Sequence, residues 1–164
     1  MTTVATIRRQ PPARGDQLPD FTAPGPDGRS HAPRDAYQRR NLVLVFTHGA
    51  DCAACHAFLQ QLATLQDGIA AEAGTVLAIA PGSVTAAARL RDDLDLPFPI
   101  AADPDLDVYA RYGLLDAAAT PRAAVFIADR YGTVFESSVA EPDHTLIEPD
   151  AIPGWLEFIA CRCS

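Results

Sequence analysis

The sequence lacks any apolar run long enough to cross a bilayer. Its longest, such as residues 75–80, are about six residues against the ~20 a spanning helix needs. It also lacks a basic excess: 13 Lys and Arg face 21 Asp and Glu, a formal charge of −8, so the electrostatic footprint of a nucleic-acid binder is missing. The opening Met1-Thr-Thr-Val-Ala-Thr-Ile-Arg-Arg-Gln has no apolar block of the secretory kind. Internal repeats, linkers and a second composition are absent too. The expectation is one soluble, cytoplasmic domain without nucleic-acid or membrane partners. With 164 residues and 48% hydrophobic content, it is large enough to bury a core without a metal or disulfide staple.

What is present follows an α/β rhythm. Residues 1–14 hold Arg8, Arg9, Pro11 and Pro12 and read as a flexible N-terminal arm; residues 15–164 read as the folded domain. Pro26-Asp-Gly28 signals a turn in a small hairpin. Leu42-Val-Leu-Val-Phe46 is a continuous apolar run that suits a strand covered on both faces. A helix follows, with Asp51 as its expected N-cap and Phe58, Leu62, Leu65 and Ile69 on one stripe.

A second strand is expected at 75–80, a helix starting at Ser83 or Thr85 and running through 86–94, and a short strand at 97–101. Residues 103–114 read as helical with Leu106, Tyr109 and Leu114 on one side. Strands at 123–128 and 133–139 form an antiparallel pair around Asp129-Arg-Tyr-Gly132. Residues 140–150 read as a loop, and the last helix begins near Asp150. These elements make a sandwich: a mixed sheet with helices on both faces.

The four cysteines form two tight pairs, Cys52-x-x-Cys55 and Cys161-x-Cys163. Close pairing suggests redox chemistry or metal binding rather than a stapled secreted scaffold. If Asp51 caps the helix, Cys52 occupies its first position, where free N–H groups and the helix dipole favour thiolate over thiol. Cys55 falls on the core side, placed to close a disulfide on its neighbour. The rival reading gathers Cys52, Cys55, Cys161 and Cys163 around zinc, with His48 or His56 as substitutes. His48 and His56 flank the pair as sources or acceptors of a proton. Cys161 and Cys163 stand as accessory thiols.

Several blocks in order resemble the alkyl hydroperoxide reductase/thiol-specific antioxidant family, the peroxiredoxins and their relatives. They are Gly15-Asp-Gln-Leu-Pro-Asp-Phe21 with Asp27-Gly28, Leu42-Val-Leu-Val-Phe46, Pro97-Phe-Pro-Ile-Ala-Ala-Asp-Pro104 with Tyr109-Ala-Arg-Tyr-Gly113, and Thr120-Pro-Arg-Ala-Ala-Val-Phe-Ile-Ala-Asp129 with Gly132. The resemblance implies a thioredoxin-like sandwich with an N-terminal hairpin extension. It also implies an antioxidant thiol oxidoreductase that acts in cell redox homeostasis and needs no organic cofactor, in a family that often forms homodimers; no metal site is expected.

The active loop departs from that family's Pro-x-x-x-Thr-x-x-Cys. His48 stands at the proline, Cys52 at the threonine, Cys55 at the cysteine, and Phe58 replaces a carboxylate three residues on. The family comparison makes Cys55 the attacking sulfur; the helix-start argument and the comparison with thioredoxins make it Cys52, the assignment favoured here. Arg122 matches an arginine that stabilises the thiolate. Thr120-Pro121 is similar to the Thr-Pro whose cis bond packs beside the dithiol in thioredoxin-fold proteins.

The function expected is reduction of hydroperoxides or disulfides through a redox-active Cys52/Cys55 disulfide, regenerated by thioredoxin, glutaredoxin or a low-molecular-weight thiol. The alternatives are a thioredoxin-like protein-disulfide reductase without peroxidase activity and a non-catalytic redox-sensing or metal-binding module.

Overall fold

A computed structural model describes residues 10–49, 51–140 and 146–163, the last as backbone. Most of the expected arm, part of the 140–150 loop and the Cys163 side chain therefore lie outside the described residues. Five strands form the main sheet in the order β5-β4-β3-β6-β7: β3 (Asn41–Phe46), β4 (Gly74–Pro81), β5 (Ile100–Asp103), β6 (Ala124–Ala128) and β7 (Val134–Val139). β3, β4 and β5 run parallel; β6 and β7 are antiparallel to their neighbours. The expected N-terminal hairpin is a separate pair, β1 (Ala23–Pro24) with β2 (Ser30–His31).

Every residue of β3 is buried, as a strand covered on both faces requires. Alternation then divides the core. Val43, Val45, Val76, Ala78, Val125 and Ile127 face α1 (Ala53–Thr64), α2 (Gln66–Ala71), α3 (Val84–Leu94) and α5 (Ile152–Cys163). Leu42, Leu44, Phe46, Leu77, Ile79 and Phe126 face α4 (Asp107–Arg111) and the N-terminal segment that brings Leu18 and Phe21. The mixed sheet with helices on both faces is therefore present. Of residues 10–14, Ala13 donates its N–H to the Asp16 carboxylate and Arg14 lies over Trp155, which itself packs against the first core.

Three expectations about element boundaries are corrected. The helix after β3 is broken into α1 and α2 at Leu65, where the backbone leaves helical geometry (φ −97°, ψ 5°). Beside the break, the Thr64 hydroxyl donates to the Gln61 carbonyl at 2.6 Å, a local bond that competes with the helix ladder. The short strand lies at Ile100–Asp103 rather than 97–101, because Pro97 and Pro99 have no N–H to give a ladder. The helix expected over 103–114 shrinks to Asp107–Arg111. Asp103 belongs to β5, and its buried carboxylate accepts the N–H groups of Val108 (2.9 Å) and Tyr109 (3.0 Å). It thereby caps a helix that starts four residues later than the apolar spacing suggests.

Candidate active site

β3 delivers the chain to the site. Past Phe46, Thr47 stays buried and donates its N–H to the Ile79 carbonyl at 3.0 Å, so the chain remains tied to β4 for one residue more. The hydroxyl of Tyr109, on α4, donates to the Thr47 carbonyl and also lies 3.1 Å from the Ile79 carbonyl. The backbone immediately before His48 is thus held from below by a fully buried side chain. In the sequence Tyr109 reads as part of a helix stripe and of a family-like block, not as a support for the active loop. The available signal was its hydroxyl, which needs a polar partner when the ring is buried.

The helix begins one residue later than expected. Cys52, not Asp51, is the N-cap of α1: its backbone is extended (φ −80°, ψ 109°), and its Sγ accepts the Cys55 N–H at 3.2 Å. The expectation failed because it ranked carboxylate above thiol as a cap acceptor. Cys52 is half-buried and Cys55 buried, and neither is in a disulfide. The Cys55 side chain packs with Ala123, which precedes β6, and Ala140, which follows β7; Cys52 and Leu146 border this group. His48 Nδ1 lies 3.2 Å from Cys55 Sγ, so the ring donates to the sulfur or accepts from it according to its tautomer.

Burial pushes the Cys55 thiol up to about 12; backbone groups of His48 and Gly49 pull against this, and the adjoining Cys52 sulfur adds to the rise. Cys55 is therefore a protonated thiol at neutral pH. A ring nitrogen of His48, Cys52 Sγ and Cys55 Sγ all lie within 4.8 Å of one another. His56 and Cys161 are outside this donor group among the described residues. Cys161 sits exposed on α5, outside the cluster that holds Cys52 and Cys55.

Thr120 and Pro121 lie in the loop between α4 and β6. Asp116 accepts the N–H groups of Ala118 (2.8 Å) and Thr120 (2.9 Å), and Ala119 reverses the chain at φ +60°. The Thr120–Pro121 bond is trans, correcting the expected cis bond. Trans is the favoured X-Pro isomer by ≈0.5–1 kcal/mol, and this turn closes without the alternative. Pro121 pairs with Leu115, Arg122 donates its N–H to the Leu114 carbonyl at 2.8 Å, and the next residue is the Ala123 that touches Cys55.

Comparison with known proteins agrees with this architecture. The family model described as AhpC/TSA family matches residues 14–151. Peroxidoxin BcpB from Mycobacterium tuberculosis superposes with a TM-score of 0.78 at 20% identity, over 90% of this chain and 98% of its own. AhpC from the same organism gives 0.80 at 18% identity, over 93% and 95%. A Chlorobium tepidum protein assigned as a thiol:disulfide interchange protein, DsbE, gives 0.72 at 21% identity, over 90% and 97%. No curated protein matches the chain by sequence. With the family match spanning most of its length, the chain belongs to the AhpC/TSA family and is a thiol-based oxidoreductase of peroxiredoxin-like, thioredoxin-fold type.

Proposed function

We propose that the chain reduces hydroperoxides with Cys52 as the attacking sulfur and Cys55 as the resolving one. The observation that carries this is the unequal setting of the two sulfurs. Cys52 is half-buried and faces the start of α1 with a backbone N–H on its sulfur, whereas Cys55 is buried and held protonated. The Cys52 thiolate attacks the terminal oxygen of the hydroperoxide, the O–O bond breaks, and the alkoxide leaves and takes a proton from solvent, giving an alcohol and a sulfenic acid at Cys52. The Cys55 thiol then passes its proton to His48 Nδ1 and its sulfur attacks Cys52; the S–O bond breaks, the departing hydroxide takes that proton from His48 and leaves as water, and the disulfide closes. An external dithiol (thioredoxin, glutaredoxin) or two low-molecular-weight thiols supply two electrons and two protons to reopen it. Arg122, Thr120 and Pro121 serve as support for the sulfurs, and residues 15–164 act as one redox domain. His56 flanks the pair as a second imidazole, and Cys161 and Cys163 are accessory thiols.

A second reading, reduction of protein disulfides, is favoured by the loop itself. His48 and Cys52 replace the proline and threonine of the peroxidase pattern, while a Cys-x-x-Cys at a helix start suits attack on sulfur. The site of action is the cytoplasm, whose reducing poise keeps the dithiol available; a homodimer is checked by the mass of the reduced protein in solution. No helix among the described residues is long and apolar enough to cross a membrane.

The test treats Cys52→Ser and Cys55→Ser variants with stoichiometric hydrogen peroxide and, separately, with an oxidised protein substrate, mapping each thiol by alkylation and mass spectrometry. Cys55→Ser is expected to hold a sulfenate at Cys52 after peroxide, and Cys52→Ser to lose the reaction. A trapped mixed disulfide in Cys55→Ser together with inertness to peroxide establishes the second reading instead. A sulfenate at Cys55 in Cys52→Ser reverses the assignment of the sulfurs.

A further inference from the structure

A ring nitrogen of His48, Cys52 Sγ and Cys55 Sγ converge from the segment after β3, the N-cap of α1 and its first turn, with every pair of donor atoms within 4.8 Å. A tetrahedral zinc ion has Zn–S ≈2.3 Å and Zn–N ≈2.0–2.1 Å, so its ligand atoms stand about 3.5–3.8 Å apart. The His48–Cys55 separation of 3.2 Å and the 4.8 Å bound bracket that spacing. These separations are compatible with one ion shared by the three side chains. We infer that the reduced protein binds one thiophilic d10 cation of the zinc type through His48, Cys52 and Cys55, with its fourth position left to water or an added ligand.

The surroundings suit such a site. Imidazole and two thiolates are a borderline-to-soft donor set, which selects zinc over magnesium or calcium. The Cys55 N–H on Cys52 Sγ supplies the outer-shell hydrogen bond that coordinated thiolates use. Tyr109 fixes the Thr47 carbonyl one residue before the histidine ligand, so the loop does not have to be ordered by the ion. Ala123, Ala140 and Leu146 close the apolar side without offering a competing donor. Binding displaces the remaining thiol protons and occupies both sulfurs, so the cation and the disulfide exclude each other. The site shares sulfurs with the proposed catalyst but does not depend on their turnover.

The experiment titrates reduced, reductant-free full-length protein with Zn2+ against a chromogenic chelator and records the Co2+ spectrum of the same chain. One equivalent is expected. His48→Ala, Cys52→Ser and Cys55→Ser should each lower affinity by more than the roughly 10–100-fold that loss of an outer-shell partner costs. A Cys161→Ser/Cys163→Ser double variant should bind as the unaltered protein does. Zinc should shield Cys52 and Cys55 from alkylation and leave exposed Cys161 reactive.

Absence of binding, affinity indifferent to His48→Ala, or loss of binding in the double variant overturns the inference. Should a variant fail to fold by circular dichroism, the cobalt spectrum of the unaltered chain decides: two-thiolate charge transfer supports the site, and none or four-thiolate intensity contradicts it. Peroxide or disulfide turnover enters none of these readouts, so failure here leaves the catalytic reading intact.

Discussion

Cys52 does at the start of α1 what Ser, Thr, Asp or Asn ordinarily does there, and its sulfur is the weaker acceptor. That substitution places the sulfur proposed to react on the helix N-terminus itself rather than one residue inside it. The motif and its two sulfurs were legible in the sequence, but their register was not, because cap preference pointed to Asp51. His48 and His56 looked equivalent in the sequence; only the loop geometry brings His48 Nδ1 within 3.2 Å of Cys55. If His48 takes the Cys55 proton, His48→Ala slows disulfide closure by about 10²-fold and leaves the first oxidation of Cys52 unchanged. Rapid quench with alkylation and mass spectrometry separates the two steps. Tyr109→Phe leaves the Thr47 and Ile79 carbonyls without their hydroxyl donor, at an expected cost of about 1–2 kcal/mol in denaturant unfolding.

Among the elements, β3 and β4 follow directly from uninterrupted apolar runs, and Ser83 caps α3 as its sequence suggests, with Oγ accepting the Ala86 N–H at 3.1 Å. α4 was less legible because its cap is three-dimensional: the acceptor is Asp103, still in the sheet, rather than a residue at the helix boundary. Asp103→Ala strands two backbone N–H groups and should destabilise by about 2 kcal/mol, with Asp103→Asn recovering part of the loss. Packing between α2, α5 and the start of β4 leaves no space at Gly74. A Cβ there meets Leu156 Cδ1 at 2.7 Å, Ile69 Cγ2 at 2.8 Å and the Ile69 carbonyl oxygen at 2.9 Å. Gly74→Ala is therefore expected to lower stability by about 1–3 kcal/mol, read as a lower denaturant midpoint.

Over the whole molecule, three buried acidic hydrogens set the response to alkali. Burial raises the Cys55 thiol from 9.0 to about 12 and lifts the Tyr109 and Tyr112 hydroxyls above their ordinary value. In the unfolded chain these groups ionise first, so it binds fewer protons than the native state once the pH passes about 9. The stabilisation from keeping Cys55 protonated is whole below that point and is lost progressively as the pH climbs toward about 12. Denaturant unfolding of the reduced protein should show this decline, less steeply in Cys55→Ser. The sandwich was readable because strand alternation and helix stripes address two separate cores. The breaks and late starts were not, because Thr64, Pro97, Pro99 and Asp103 act through local bonds and contacts that periodicity does not record.

The rates at which a small haloacetamide modifies each cysteine, followed residue by residue by mass spectrometry from neutral to strongly alkaline pH, test the unequal sulfurs most directly. Cys52 should react ahead of Cys55 at neutral pH, while Cys55 stays slow and gains reactivity only as the pH approaches about 12. Faster modification of Cys55 than of Cys52 at neutral pH would contradict the account.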